Sequence, residues 1–425
     1  MGCTSSIYVI GKKKRKIVPQ VSMFIPFLRV PAQTDIQRTL TLTLGGLVPK
    51  DLANRINSLR NQISFVAEDT GGSAIGEVIK ALGEYLPLVI GLTKKEYELQ
   101  DLVEFRWKDL EDGNQEICVT NSWFELFSVL HMMAVLMLME ANLKLIPKES
   151  SGLSESLLSP DCMRDAVDLL LKAAGYLNFI VHDIIPRLPP DVKDKLPSDM
   201  QGSVLESILY QALAMGTEVQ LGLAVQSQNA TLSVKRRLAC EQLSFFTKAY
   251  FCLSEADNGG ARKKQLSFLK WKHLEAKAGA YYYHGLILDK GTEPSSHVSA
   301  VCCFLAAEDL LAESKKACLT FCLSHPITRA TPSWGAMKHF HKKIPNMASK
   351  KSQMYGYLLD QEKSLQSLAD LPEFELSLKP DEYELPEVDP MWDFGNCEIS
   401  NPGQMTIKAH LNNDDVGDHM FELQT

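Results

Sequence analysis

The residues best placed for chemistry are the first six, which read MGCTSS. Removal of Met1 exposes the amine of Gly2, and Ser6 stands at the position favoured for N-myristoyl transfer. Cys3 lies beside Gly2 and supplies a thiol for S-palmitoylation. The pattern predicts a lipoprotein with myristate on Gly2 and palmitate on Cys3. The open alternative is an unmodified N-terminus.

A run of basic residues follows directly, comprising Lys12, Lys13, Lys14, Arg15 and Lys16. One myristoyl chain binds a bilayer only marginally, so stable attachment needs a second signal. Each basic residue near an anionic leaflet adds about 1 kcal/mol of attraction. The run therefore predicts contact with an anionic membrane surface. In the unmodified alternative it is a solvated tail or a nuclear address.

The sequence contains no pattern typical of a known catalytic centre. It lacks a G-x-S-x-G elbow, a P-loop, a dinucleotide-binding glycine pattern and an H-E-x-x-H motif. Cys318 and Cys322 have a helical spacing that zinc uses, but no second ligand pair accompanies them, so we interpret them as core thiols. His339 and His341 are interpreted as a solvated cationic loop, and Tyr281–Tyr283 as packing residues. We expect no enzyme activity, no catalytic residue, no metal, no cofactor and no small-molecule substrate.

Composition and charge limit the class of protein. Hydrophobic residues make up 45% and charged residues 23% of the chain, as in soluble globular proteins. The formal net charge of −8 argues against a nucleic-acid partner. The N-terminus, residues 1–20, has five basic residues and no acid, whereas residues 371–425 have thirteen acids and two basic residues. Because residues 1–20 lack a secretory apolar core, the ten scattered cysteines indicate a reduced, cytoplasmic protein that is peripheral on membranes.

The helices that would position binding residues are organised around one stretch, Val204–Ala256, and its continuation to Leu323. Apolar residues recur there with gaps of three and four, which predicts two amphipathic helices separated near Gln228–Asn229. The same periodicity predicts further helices over Leu266–Leu288 and Val298–Leu323. Small residues are frequent on both of these helices and allow helix axes to approach closely. The pattern is typical of stacked antiparallel helix pairs in a solenoid.

Capping residues predict where several helices begin and end. Ser122 and Glu125 have the S-x-x-E spacing of a capping box. Gly291 is expected to end a helix, and Ser295 or Ser296 to cap the next one. The helix after Ser122 is apolar nearly all round, and its uncharged run is too short to span a bilayer. We therefore expect it to be buried in the protein.

The remaining segments are less regular. Three prolines interrupt residues 21–49, which predicts irregular or extended chain, and alternating apolar residues around Asp112–Asn114 predict a β-hairpin over 103–119. After His325 the pattern weakens into short helices and turns, whereas Leu371–Trp392 is expected to be extended. We divide the chain into a basic lipidated anchor (1–20), one helical domain (21–395) and an acidic, loosely held tail (396–425).

Four segments of the sequence are informative when taken together. They read VEFRWKDL followed by NSWFELFSVLHMMAVLMLMEANLKL, then LYQALAMGTEVQLGLAV, VKRRLACEQLSFFTKAY and KHLEAKAGAYYYHGLIL. These segments resemble the BRO domain family of Alix-like and Brox-like endosomal adaptors. None is a strict motif, but their order and spacing extend the resemblance over roughly residues 20–395. The resemblance implies a mostly α fold, namely a curved, boomerang-shaped helical solenoid with tetratricopeptide-like helix pairs and a small β-hairpin element.

The resemblance also implies a function, which is recruitment of ESCRT-III subunits in endosomal sorting and multivesicular body trafficking. In the family, the C-terminal amphipathic helix of an ESCRT-III subunit docks in an apolar surface patch on two helices. Two patch positions fall on Val234 and Leu238. The third falls on Leu221, or on Gln220 if the loop between the helices differs by one residue. Ordinary core packing of these residues is the open alternative.

The sequence departs from the family pattern at its C-terminal end. Longer relatives continue into a coiled coil and a proline-rich tail. Short prenylated relatives have Cys fourth from the end, where Glu422 stands here. The N-terminal MGC motif is therefore expected to supply the anchor, as in plant BRO-like proteins, at the endosome or the plasma membrane. The alternative function is a tetratricopeptide-like peptide-binding scaffold at the plasma membrane, unrelated to ESCRT.

Overall fold

The computed structural model describes residues 18–43, 48–110, 116–147, 158–254, 260–361 and 368–393. The predicted lipidation sites Gly2 and Cys3 and the basic run Lys12–Lys16 lie outside these residues. The acidic tail and the hairpin turn at Asp112–Asn114 also lie outside them. Expectations about these segments stay predictions.

Helices make up most of the described residues, as the apolar periodicity predicts. They are α1 (Ile36–Thr43), α2 (Lys50–Thr70), α3 (Ile75–Leu92), α4 (Ser122–Leu145), α5 (Pro160–Phe179), α6 (Pro190–Asp194), α7 (Gly202–Gln226), α8 (Leu232–Ser254), α9 (Gly260–Leu288), α10 (Pro294–Leu323) and α11 (Gly335–Gln361). A π-helical turn (Ile180–Ile184) and a 3₁₀ turn (Ile185–Arg187) continue α5. The break between α7 and α8 contains Gln228–Asn229, so that prediction is confirmed.

Five short strands form two small sheets. The strands are β1 (Gln20–Val21), β2 (Arg29–Pro31), β3 (Glu104–Asp109), β4 (Glu116–Thr120) and β5 (Arg329–Ala330). Antiparallel pairing of β3 with β4 confirms the predicted hairpin, and β2 adds a third strand on the other side of β3. The strands β1 and β5 pair in parallel, so the start of the described chain lies beside the segment that leads into α11.

The helices α7, α8, α9 and α10 pack successively against one another, and short connections make neighbours antiparallel. A large group of buried apolar side chains extends from the three-stranded sheet through α2–α5 to α9. A smaller group lies among α7–α11 and includes Tyr282, Phe304 and Phe340. A Cβ atom at Gly279 would lie 2.7 Å from the Phe340 ring, so the small residue there permits close approach of α11 to α9.

Helix α4 is buried, as its all-round apolar composition predicts. Its most apolar 18-residue window is 83% buried inside the protein. By length and composition alone, three other helical stretches also reach the threshold for a membrane span. These are Pro160–Arg187, Gly202–Gln226 and Pro294–Leu323, whose windows are 39%, 72% and 39% buried.

The predicted capping box at the start of α4 is wrong. Asn121 is the N-cap, and its side-chain oxygen accepts hydrogen bonds from the backbone N–H groups of Trp123 and Phe124. Glu125 is instead fully buried. Its carboxylate accepts hydrogen bonds from three distant donors, which are Arg60 Nε (2.9 Å), the Tyr85 hydroxyl (2.8 Å) and Trp107 Nε1 (2.6 Å). A buried carboxylate requires such donors, and this requirement outweighs a local cap.

Three other predictions about local structure need correction. Within the supposedly extended residues 21–49, α1 forms a helix. The cap of α10 is Glu293, with Pro294 in the first turn, rather than a serine. After His325 the chain forms the long helix α11 instead of short helices and turns, because Met337, Phe340, Ile344 and Ala348 provide a buried apolar stripe at helical spacing.

The extended segment, defined here as residues 368–393, has no regular secondary structure up to its final turn. It lies across several helices, as its composition predicts. The backbone N–H of Asp381 donates to Leu171 O of α5 (3.2 Å), and that of Asp389 donates to Pro87 O of α3 (3.3 Å). Trp392 near its end is buried and stacks on Tyr97. The extended segment therefore contacts both α5 and α3 and connects helices that are distant in the sequence.

Candidate partner-binding site

The predicted patch residues Val234 and Leu238 lie one turn apart near the start of α8 and therefore share a face. Val234 is 47% exposed. Leu238 is half-buried and packs on the smaller core. Leu221 is fully buried on α7, so its side chain is not available to a partner in this structure.

The geometry of α7 favours Gln220 as the third patch position. Gly216 and Gln220 are one turn apart and share a face. A Cβ atom at Gly216 would lie 3.0 Å from Leu378, so this face borders the extended segment. Gln220 is half-buried, whereas the adjacent Leu221 belongs to the smaller core. Of the two predicted registers, only the one with Gln220 gives the α7 side of the patch a partly exposed side chain.

The extended segment crosses from α8 to α7 next to the patch. Buried Glu241 of α8 accepts hydrogen bonds from Ser377 N (2.6 Å), Ser377 Oγ (2.7 Å) and Leu378 N (2.8 Å). Because Leu378 also packs against α7, the chain crosses from one helix to the other at this point. The sequence signal that was missed is an acid, Glu241, on the same face as Leu238.

Basic side chains follow Val234 on the first turns of α8, at Lys235, Arg236 and Arg237. The guanidinium of Arg236 lies 5.6 Å from the centroid of the Phe374 ring and 3.5 Å from His284 Nδ1. Burial, and then the charge of Arg236, lowers the pKa of His284. Arg237 is exposed and donates to Glu375 O at 3.4 Å. The first turns of α8 beside Val234 therefore carry three basic side chains.

A buried ion network fixes the positions of α7, α8 and α9 beneath the patch. Lys272 Nζ of α9 lies 2.7 Å from Glu218 of α7 and 2.9 Å from Glu275. Gln242 of α8 donates to the same Glu218 carboxylate at 3.2 Å. Burial alone would lower the pKa of Lys272, but the two carboxylates outweigh it and raise the pKa. The ammonium group thus joins α9 to α7, and Gln242 joins α8 to the same carboxylate.

The side chains that looked suited to catalysis or metal binding have structural roles. Burial, followed by the neighbouring Cys322, raises the pKa of Cys318 to about 12, so its thiol stays protonated and is a poor zinc ligand. His339 and His341 lie on α11 rather than in a loop, and burial lowers the pKa of each. Tyr282 packs edge-on against Phe340, as predicted. Within the described ranges, no three His, Cys, Asp or Glu side chains are arranged to hold a metal ion.

The comparison with protein families gives a clear result. The model of the BRO1-like domain matches residues 48–367, which is well over half of the chain. The chain belongs to the BRO1-like domain family. The matched residues contain α2 to α11, including both helices of the patch.

Two vertebrate relatives are named BRO1 domain-containing protein BROX. The protein of Danio rerio is 26% identical over 292 residues, which cover 65% of this chain and 68% of the relative. The protein of Mus musculus is 26% identical over 236 residues, which cover 54% of this chain and 52% of the relative. The match thus extends over about half the length of the mouse protein.

Solved structures confirm the curved, boomerang-shaped helical fold of the BRO1-like domain. The ALIX BRO1 CHMP4C complex has a TM-score of 0.59 at 15% identity, covering 86% of this chain and 97% of the other. A structure described as the basis for endosomal targeting by the Bro1 domain has a TM-score of 0.55 at 14% identity, covering 89% and 96%. ALIX in complex with the SIVmac239 PYKEVTEDL late domain has a TM-score of 0.57 at 14% identity, and the match covers 86% of this chain but only half, 50%, of the ALIX chain.

Proposed function

We propose that this chain is a non-enzymatic adaptor that recruits an ESCRT-III subunit in endosomal sorting and multivesicular body trafficking. It binds the C-terminal amphipathic helix of the subunit at the patch formed by Val234, Leu238 and Gln220. The observation that carries the proposal is the exposed apolar side chain of Val234, one turn before the half-buried Leu238 and beside basic residues of α8. The ALIX BRO1 domain, which has the same fold, is described in complex with CHMP4C.

The geometry of the patch suits a helical ligand. Val234 and Leu238 are one turn apart, and an amphipathic helix presents its own apolar residues at the matching three- and four-residue spacing. Lys235 and Arg237 would face the polar edge of the bound helix, where acidic residues speed association and fix orientation. The extended segment crosses α8 at Ser377–Leu378, and this crossing limits how far a ligand can extend along α8.

Val234→Asp is expected to weaken binding of a synthetic ESCRT-III C-terminal helix at least about thirtyfold. A buried anchor of a helical interface is worth about 2 kcal/mol or more, which corresponds to that ratio. Isothermal titration calorimetry measures the affinity, and thermal melting followed by circular dichroism reports the fold. The melting temperature should stay unchanged, because Val234 is 47% exposed in the free protein.

The matched control for this experiment is Phe251→Asp on the same helix. Phe251 is 63% exposed near the other end of α8, so the variant adds the same charge to an exposed apolar site outside the patch. It should bind the helix as the parent protein does. Unchanged affinity in Val234→Asp would place the docking surface elsewhere. A collapsed melting temperature would mean that Val234 belongs to the core.

We further propose that the protein is a cytoplasmic adaptor held at endosomal or plasma membranes by its N-terminus. Support comes from the coincidence of Gly2, Cys3 and the basic run Lys12–Lys16 in one short segment. A myristoyl chain and a palmitoyl chain together give stable attachment, and the basic residues add attraction to anionic lipid.

Gly2→Ala is expected to move the protein from membranes to the cytosol, because myristoylation requires the glycine amine. Cys3→Ser should leave weak binding that is sensitive to salt, since one acyl chain and five basic residues remain. Membrane fractionation at low and high salt measures both outcomes, and Thr4→Ala is the control. Undiminished membrane recovery of Gly2→Ala would reject the proposed acylation.

A further inference from the structure

The outer face of α11 is basic over most of its length. Among its described side chains, residues 335–358 include five lysines and no acid. The exposed residues of this outer face are Lys338, Lys342, Lys343, Asn346, Ser349, Lys350, Gln353, Met354 and Tyr357. Met354 and Tyr357 at its far end are 51% and 61% exposed. The face therefore combines flexible cations with accessible apolar side chains.

Contacts on the inner side of α11 fix which way the lysines point. Phe340 packs against Tyr283 with ring centroids 5.6 Å apart. Near the other end, Tyr355 stacks on His297 at 4.6 Å, and Lys351 pairs with Asp289 at 2.5 Å. The helix is thus held at both ends against α9 and α10. Its exposed lysines, from Lys338 to Lys350, extend along about 18 Å of the helix, from the rise of an α-helix.

A neighbouring helix extends the basic surface toward the patch. His339 is half-buried on α11, and its pKa is lowered by burial and then by Lys343 and Lys235. Lys235 belongs to α8 and borders the patch around Val234. Lys343 of α11 and Lys235 of α8 therefore both act on His339.

The start of the described chain lies near the start of this face. Arg329 N donates to Pro19 O at 2.9 Å, and Thr331 N donates to Val21 O at 3.1 Å, a few residues before α11. The basic run Lys12–Lys16 precedes Pro19 in the sequence and lies outside the described residues.

We propose that the outer face of α11 is a second contact with the anionic membrane surface and orients the domain on it. The proposal rests on the proposed peripheral attachment, since both elements would face one bilayer. Lysine stems extend along an apolar surface and place their ammonium groups at headgroup level. Tyrosine is favoured at the same depth. An array of lysines over this length suits a plane of lipid phosphates better than a compact acidic peptide.

The test uses the full-length, non-acylated protein and phosphatidylcholine vesicles with and without phosphatidylserine. The triple substitution Lys342→Ala, Lys343→Ala and Lys350→Ala should lower partitioning onto the anionic vesicles at least about tenfold, because three cations at the surface are lost. Binding by the parent protein should fall with added salt. The neutral vesicles should bind parent and variant equally weakly.

A triple variant at and after α3 controls for net charge. Lys80→Ala, Lys94→Ala and Lys95→Ala remove the same charge from exposed sites on and just after α3, and should leave partitioning unchanged. Equal binding by the α11 variant and the parent protein would overturn the proposal, as would an equal loss in both triple variants. Loss of an acidic protein partner with unchanged vesicle binding would also overturn it.

The result of the vesicle experiment does not depend on whether the proposed function is correct. Acylation is absent from the vesicle experiment, so failure of the Gly2 prediction does not change its result. The α11 triple variant should bind the ESCRT-III helix as the parent does, because Lys342, Lys343 and Lys350 lie outside the Val234 patch. Circular dichroism should give the parent melting temperature, since all three side chains are exposed.

Discussion

Lys272→Met is expected to lower the free energy of unfolding by about 3–5 kcal/mol, the usual effect of removing one member of a buried ion pair. Lys272 Nζ lies within 3 Å of Glu218 and Glu275, at 2.7 and 2.9 Å, and all three side chains are almost completely buried. Without the ammonium group, the two carboxylates face each other in the interior. Since Glu218 is on α7 and Gln242 of α8 hydrogen-bonds to it, the relative position of the patch helices should also loosen.

Urea denaturation measures this loss. The control is Lys195→Met, which removes an exposed lysine 3.8 Å from Asp191 and should change stability by no more than about 0.5 kcal/mol. Adding Glu218→Gln to Lys272→Met should recover part of the loss, because one unpaired carboxylate disappears. A loss below about 1 kcal/mol in Lys272→Met would mean that water reaches the network and screens it.

Acidification is expected to destabilise the protein through His131, by up to about 3 kcal/mol between pH 6.5 and pH 4. Burial lowers the pKa of His131 from 6.5 to about 4, with an opposing effect of Asp199 and a further lowering by Arg29. Between these two pH values the unfolded chain binds a proton that the folded chain does not. The contribution of His131 is therefore fully present above pH 6.5 and is lost progressively as the pH falls.

His131→Phe isolates this contribution. Among the described residues neither ring nitrogen of His131 has a hydrogen-bond partner, and the ring stacks on Phe127 at 6.4 Å. An apolar ring keeps the stacking and removes the unpaired nitrogens, so the variant should be at least as stable at pH 7. Urea denaturation across the pH range should show a smaller decrease for the variant than for the parent. Equal slopes would contradict the assignment to His131.

Helix content and helix pairing followed from the sequence because they depend on residues close together in the chain. The apolar periodicity of α7 to α10 specifies one buried face per helix, and the break at Gln228–Asn229 was visible as a polar interruption. Helix α4 has no polar face to expose, so its burial was determined by composition. The apolar stripe of α11 was present in the sequence as well, but the intervening lysines and Pro345 made a long helix difficult to predict. In the structure Phe340 of this stripe packs close to Gly279.

Interactions between distant residues were decided only by the tertiary structure. Glu125 had the right spacing for a local cap, yet its carboxylate binds Arg60, which is sixty-five positions away. Asn121 and Ser122 are both good caps, and the helix begins so that Asn121 takes that role. Glu241 was recognisable as an acid near the patch, but its role in holding Ser377 and Leu378 depends on where the extended segment crosses.

The patch residues also depend partly on local sequence and partly on tertiary packing. The sequence by itself determined that Val234 and Leu238 share a face of α8, because residues four apart on a helix always do so. It left the α7 contribution open between Gln220 and Leu221, since each residue turns a helix by about 100° and a one-residue shift moves a side chain from surface to core. In the structure Leu221 fills the smaller core while Gln220 stays on the face that borders the extended segment, which is why we propose Gln220. Surface and core are properties of the assembled helices, which no single helix specifies.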